Sequence, residues 1–536
     1  MKQKSSPNFL FLMADQLTAF ALKLYGNPVC RTPNIDRLAQ RSTRFENMYC
    51  NFPLCAPSRV AMLTGRLPSE VGVYDNASEF PAQTPTFLHY LKLAGYSTLL
   101  SGKMHFVGPD QQHGFQERLT TDIYPSDFGW TPDWRQEVPV APTGMNMRSV
   151  VEAGSCRRSM QLDYDDEVVN RGIQKIYDLG RLHRDRPFFL GISLTHPHNP
   201  YVCMDEYMDL YQRDEIDMPH VAPIPFAEQD AHSQRLWYMF RQDEYTLTAE
   251  HVRTARHAYY AMVSYVDAQV GRILDALNAM DLNSSTVIVL TSDHGDMLGE
   301  RGLWYKWVHF EPSVRIPLLV SLPDQRHARV EKSLVSLVDI FPTLSALAGI
   351  ALPPAQQQEL SGRSLVPYLQ AHDEGNSPFE DESVVYGEMN GEGAHAPCFM
   401  VRTSRYKLIV ADGDPPLFYD LQNDPHEEVN LAQSPSYAAH RDRLMQLMHE
   451  RWNAASLHQR VLTSQRHRRL IQQTLLTGDY RAWDYQPMQD ASQQYVRAGE
   501  RSSPAVVKGR LRYPTVAPTA PDTPRADNLA TLAAKE

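Results

Sequence analysis

The chain has 536 residues, 42% of them hydrophobic, with a formal net charge of −11 and six cysteines. That length supports one large domain and a smaller one, and the hydrophobic share excludes a disordered chain. The acidic balance disfavours nucleic acid, and six cysteines with no CxxC pair exclude a disulfide framework and a structural zinc site.

The first element, NFLFLM (8–13), is too short to span a membrane and lacks a small-residue cleavage site. It reads as a buried strand of a cytoplasmic protein. PNIDRLAQRS (33–42) reads as a helix. CAPSRVAMLTG (55–65) reads as another, with Cys55 at its positive end and Arg59 one turn on. PTFLHYLKLAGY (85–96) is a helix stopped by Gly95, followed by the strand STLLSG (97–102). PFFLGISL (187–194), STVIVLTS (285–292) and IPLLVSL (316–322) read as strands. A long amphipathic pattern fills 251–280, and LVDIFPTLSALAG (337–349) reads as a helix. This alternation predicts an α/β fold with a large, mostly parallel sheet flanked by helices. Beyond it, VVYGE (384–388), CFMVRTSRYKLIV (398–410) and PLFYDL (416–421) predict a smaller C-terminal antiparallel sheet, with helices over 436–476. The expected boundaries are 1–375 for the catalytic domain and 376–514 for the smaller domain with an oligomerisation extension. The Pro/Ala/Thr-rich tail, 515–536, is expected to be disordered.

Polar residues follow the expected strands. Asp15 follows the first, Lys103 and His105 the next, His196 and His198 the third, and Asp293 and His294 the fourth. In open parallel sheets ligands bind beyond the carboxyl ends of the strands. Alone, Asp15 reads as a helix cap, Lys103 as a solvated lysine and Asp293-His294-Gly295-Asp296 as a turn. Together they place carboxylates suited to a divalent cation beside cations suited to an anion, the layout of sulfate or phosphate ester chemistry. Cys55 by itself admits a buried structural thiol, a metal ligand or a nucleophile.

Cys55-Ala56-Pro57-Ser58-Arg59, continuing to Leu63-Thr64-Gly65-Arg66, resembles the signature of the type I sulfatases. Met13-Ala14-Asp15-Gln16, Gly102-Lys103-Met104-His105, His196-Pro197-His198-Asn199-Pro200, Ser292-Asp293-His294-Gly295-Asp296 and Lys306 follow in family order. The resemblance implies an alkaline-phosphatase/sulfatase-like fold and formylglycine made from Cys55 by a maturation enzyme. On that resemblance, the hydrated formylglycine would attack sulfur with one hydroxyl and expel sulfate with the other. It further implies a divalent metal, calcium with manganese or magnesium as alternatives, held by Asp15, residue 55, Asp293 and His294. Arg59 would orient the nucleophile, Lys103 and Lys306 would bind sulfate, His198 would protonate the leaving alcohol and His105 would assist. Many members have a second aspartate where this chain has Gln16, and asparagine where it has His294.

The chain is also similar to the choline sulfatases in LTTDIYPSDFGWTPDW (119–134), in Tyr74-Asp75-Asn76-Ala77 and in Trp483-Asp484-Tyr485-Gln486-Pro487. The implied substrate is choline O-sulfate. Its quaternary ammonium needs aromatic faces and nearby carboxylates. Trp130 is the expected cage residue, Glu388 adds negative charge and Asn76 donates to sulfate. A neighbour's C-terminal carboxylate finds no match in Arg501-Ser502-Ser503-Pro504. The implied assembly is a homo-oligomer, a dimer or tetramer, with no membrane or nucleic-acid partner. The alternatives are a phosphonate or phosphate ester hydrolase, an aryl or alkyl sulfatase, and a non-catalytic binding protein of the same fold.

Overall fold

Asn8–Ala14 (β1) lies at the centre of an eight-stranded sheet in a computed structural model that describes residues 6–182, 186–323, 325–370 and 383–478. The other strands are β2 (Thr43–Tyr49), β3 (Ser97–Gly102), β4 (Glu117–Arg118), β5 (Phe188–Leu194), β6 (Thr286–Ser292), β7 (Arg315–Ser321) and β8 (Arg329–Ser336). Their order is β8-β2-β7-β6-β1-β5-β3-β4, and only β7 runs antiparallel to its neighbours. β5 and β6 are buried along their whole length, as their continuous apolar runs require in a sheet covered on both faces. Each buried Val, Ile or Leu there contributes roughly 2 kcal/mol.

The helices that matter to the site are α1 (Pro33–Ala39), α2 (Cys55–Thr64), α3 (Phe87–Leu93), α4 (Met160–Leu182) and α5 (Ala249–Ala279). The Thr248 hydroxyl caps α5 by accepting the His251 N–H at 3.2 Å. The expected strands recur to within a residue or two. β2, β8 and α4 lie outside the expected elements, because polar residues interrupt their apolar runs. In β2 and β8 part of the strand faces solvent, and α4 carries a charged outer face.

The stretch 398–410 is two strands rather than one. β9 (Val385–Met389), β10 (Cys398–Arg402), β11 (Tyr406–Ala411) and β12 (Leu417–Asp420) form an antiparallel meander. The helical stretch after it breaks at Trp452-Asn453 into α6 (Ala438–Arg451) and α7 (Ala454–Leu475). This small sheet and its helices share an apolar cluster with Ala61, Leu67, Tyr74 and Trp134 from the first half of the chain. The Trp483–Pro487 and Arg501–Pro504 segments and the 515–536 tail lie outside the described residues. No helix among the described residues is long and apolar enough to cross a membrane.

Gly102 ends β3 at φ +107, and a Cβ there would meet the Ser193 carbonyl oxygen at 2.0 Å. Backbone cannot yield as a flexible side chain can, so this contact fixes where Lys103 leaves the sheet. Gly102→Ala should lower stability by about 3 kcal/mol, from overlap and the left-handed backbone together. A thermal melt indistinguishable from the parent would show that the strand end gives way.

Candidate active site

α2 begins where the chain leaves Leu54, and all ten of its residues are buried. Its first free amide is satisfied from a distance, since the Asn76 Oδ1 accepts the Ala56 N–H at 2.9 Å. Cys55 therefore sits at the positive end of a helix held under the sheet edge. Its Sγ lies 3.2 Å from His294 Nε2, 3.8 Å from Asp15 Oδ1 and 3.8 Å from Lys306 Nζ.

Arg59, one turn along, is wholly buried. Its Nε donates to Asp293 Oδ2 at 2.9 Å and its Nη2 to Asp15 Oδ2 at 3.2 Å. Its Nη1 donates to the Lys103 carbonyl at 2.6 Å and to the Ser193 hydroxyl at 2.9 Å. The Lys103 ammonium pairs with Asp15 Oδ2 and lies 4.2 Å from the centre of the Tyr124 ring. Burial acts to raise the pKa of Asp15, as does Asp293, but Lys103 and Arg59 hold it well below the usual carboxylate range. Burial likewise opposes ionisation of Asp293, and the cations Arg59 and Lys103 overcome it. Both carboxylates are thus anions.

His294 Nδ1 lies 3.0 Å from the Gly295 carbonyl, which can only accept, so Nδ1 carries the hydrogen and Nε2 turns a lone pair toward Cys55. Burial pushes the His294 pKa down to about 4 and keeps the ring neutral. One donor atom from each of Asp15, Cys55, Asp293 and His294 lies within 4.8 Å of every other. Two anionic carboxylates and a neutral imidazole with its lone pair directed inward fit a divalent cation.

Lys306 spans the other side, donating to Gln16 Oε1 at 2.6 Å and to His198 Nε2 at 2.7 Å. His198 Nδ1 lies 2.7 Å from the Asn199 carbonyl, which again leaves Nε2 as the acceptor. Gln16 is a bridge, because its amide also donates to Asp296 Oδ2 at 2.5 Å. His196 faces elsewhere, with Nδ1 2.6 Å from Asp165 Oδ2. Gln16, His105, Tyr305 and Trp307 all take positive φ, a clustering of left-handed backbone typical of functional sites.

Over this cluster lie the aromatic rings of the 119–134 segment. Trp130 packs at 5.7 Å from His105 and 5.3 Å from Tyr124, ring centre to ring centre. Burial lowers the His105 pKa. The β9–β10 turn approaches from the small sheet, where Trp134 Nε1 donates to the Gly391 carbonyl at 2.9 Å. In that turn Glu392 Oε2 and both amide atoms of Asn390 are buried, with no hydrogen-bond partner among the described residues.

Glu388 is not brought to the cluster by any bond it makes. Its Oε1 accepts the Ser69 N–H at 2.6 Å and its Oε2 accepts from Trp452 Nε1 at 3.2 Å. Glu392, four residues on, was not singled out by the sequence, because a carboxylate in a Gly-rich turn looks like any surface turn residue.

A family model described as Sulfatase matches residues 7–350, one for the C-terminal part of N-sulphoglucosamine sulphohydrolase matches 299–454, and one described as "Choline sulfatase enzyme C terminal" matches 459–501. The chain is 42% identical over 502 residues to the choline-sulfatase of Rhizobium meliloti (strain 1021), covering 92% of this chain and 96% of that protein. It is 29% identical to mouse arylsulfatase K, covering 81% and 77% of the two chains. The phosphonate monoester hydrolase of Silicibacter pomeroyi shares the fold with a TM-score of 0.67 at 22% identity, covering 83% of this chain and 95% of that one.

Burial pushes the Glu388 pKa up to about 7 from its ordinary 4.5, so folding favours its neutral form. The stability this allows is complete below pH 4.5 and is lost as pH rises through 7, a change of about 3 kcal/mol. Glu388→Gln carries a constant cost at Trp452 but cannot titrate. Its melting temperature should therefore fall less than the parent's between pH 5 and pH 7.5. Parallel curves would place the charge of Glu388 outside the stability balance.

Proposed function

This chain belongs to the sulfatase family and is a sulfuric ester hydrolase, and from that premise we propose that its substrate is choline O-sulfate. The family implies a divalent metal and a formylglycine, which we assign to Cys55. The observation that carries the reading is a grouping of side chains: the cationic Arg59, Lys103 and Lys306 gather around residue 55, and the rings of Tyr124 and Trp130 pack against Lys103 and His105.

Metal and formylglycine supply Lewis acidity and an oxygen nucleophile at residue 55. Asp15, Asp293 and His294 would hold the ion, and we take calcium as the cation that carboxylate ligands favour. Arg59 keeps both carboxylates anionic and fixes residue 55 through the rigid helix they share. Lys103 and Lys306 bind sulfate oxygens, and Asn76 holds the start of α2. His198 Nε2 accepts from the Lys306 ammonium at 2.7 Å, and through His198 that ammonium would supply the proton that the departing alkoxide takes. His105 forms the floor under Trp130.

For the choline end we propose Trp130 and Tyr124 as aromatic faces, with Glu392 in the role expected of Glu388. Burial pushes Glu392 up to about 7, Asp75 adds to the rise, and Trp307 and Lys306 act against it. A quaternary ammonium beside it would stabilise the anion.

The matured enzyme should prefer choline O-sulfate over an aryl sulfate that lacks a cationic group and over a phosphonate ester, measured as kcat/KM. Its intact mass should be about 18 Da below that of the unmodified chain, the difference between CH2SH and CHO. Cys55→Ala should abolish turnover while leaving the thermal melt near that of the parent. Full activity in an unmodified chain would reject the nucleophile. Trp130→Ala should raise KM for choline O-sulfate about tenfold, from loss of a cation–π face, and change the aryl sulfate's KM far less. Equal effects on both esters would remove Trp130 from the cage.

A further inference from the structure

We propose that Arg468 of α7 is a positioning residue that locks the aromatic wall of the pocket to the turn supporting the nucleophile's helix, an inference that rests on the choline-ester reading above. Arg468 is 5% exposed, although it lies on a helix of the C-terminal part of the chain. Its Nη1 and Nη2 each lie 2.7 Å from one oxygen of Asp75, which is fully buried. Nη1 also donates to the Thr131 hydroxyl at 3.2 Å.

Both partners adjoin the site. Asp75 Oδ1 accepts the Ala77 N–H at 2.9 Å and so shapes the turn from which Asn76 reaches the Ala56 N–H, next to Cys55. Thr131 follows Trp130 and is tied to its own loop by a hydroxyl bond to the Phe128 carbonyl at 2.8 Å. One planar fork thus holds the two walls that must keep their spacing if a cation is to sit over residue 55. Two more residues of the same helix grip the same loop. Gln465 Oε1 accepts the Trp134 N–H at 3.1 Å, and Arg469 pairs with Asp133. Positions 465, 468 and 469 share one face of an α-helix, which in an ordinary packed helix would be apolar.

The choice of arginine follows from geometry. Desolvating a cation–carboxylate pair gives little net stability, so stability alone does not account for it. Lysine could neutralise Asp75, but its single ammonium cannot hold both carboxylate oxygens and the Thr131 hydroxyl in one plane. The function served is register between two loops, and it appears as discrimination between esters.

The test uses the matured full-length chain and compares kcat and KM for choline O-sulfate and an aryl sulfate without a cationic group, with thermal melts, in the parent, Arg468→Lys and Thr131→Val. Arg468→Lys retains the charge pair, and Thr131→Val removes the loop contact with little change in volume. Both variants should lower the choline-to-aryl ratio of kcat/KM about fivefold to tenfold, mainly through KM for the choline ester. A ratio equal to the parent's in Thr131→Val, with both esters losing activity only in step with the melting temperature, would overturn the proposal. If Arg468→Lys fails to fold, Thr131→Val decides alone. A parent enzyme with no preference for the choline ester would instead overturn the substrate reading, and this inference with it.

Discussion

The site is organised by a guanidinium buried between two carboxylates. Arg59 has no exposure to water, and Asp15 and Asp293 have none either. Three charges can stay ionised there only because each is paired and hydrogen-bonded, and removal of the arginine would leave two buried anions at a cost of about 3–5 kcal/mol. The fork reaches four separate segments: the ends of β1 and β6, the backbone after β3 and the Ser193 hydroxyl of β5. Strand order and helix position are coupled through this one side chain. Because Cys55 begins the same helix, its place follows from where Arg59 is held.

The charges around residue 55 also decide what the pocket can take. Both carboxylates are kept anionic by their cationic neighbours, while burial keeps His294 neutral. Three cationic side chains therefore stand against two carboxylates before any metal is counted. The sulfate group of a monoester, which carries one negative charge, is attracted to this end. At the opposite end the lining changes to rings and a carboxyl whose ionisation burial resists, so a second positive group there costs little and gains a counter-charge. A zwitterionic ester matches both ends in a single orientation.

Much of this was legible in the chain because the reactive groups follow apolar strands. Asp15, Lys103, His198 and Asp293 could be placed from strand runs alone, since a continuous apolar run fixes where a strand stops. Cys55 and Arg59 could be placed from a helix signal four residues apart. The carboxylate near the aromatic wall was harder. Glu388 ends a strand and so resembles the other site residues, yet Ser69 and Trp452 already engage both its oxygens. Glu392 sits in a turn with no periodicity, and tertiary contacts such as that of Gly391 with Trp134 bring it near the site. β2 and β8 lacked a signal for a different reason, because partly solvated strands need no continuous apolar run.

The buried polar face of α7 shows what local sequence cannot convey. A helix whose inner face carries Gln465 and Arg468 reads as a solvated helix, and its charged residues look like ordinary surface. Burial of Arg468 is tolerated because Asp75 is already committed to shaping the turn beside the nucleophile, so each supplies the other's missing partner across nearly four hundred residues of chain. Neither signals the other locally. Pairs of this kind favour one arrangement over slightly shifted ones more than they add to stability, because any displacement leaves two buried charges unmatched. On the proposed choline-ester reading, holding a cationic head group at a fixed distance from a sulfur atom needs that selectivity between close alternatives. The C-terminal helix supplies it without touching the reacting atoms.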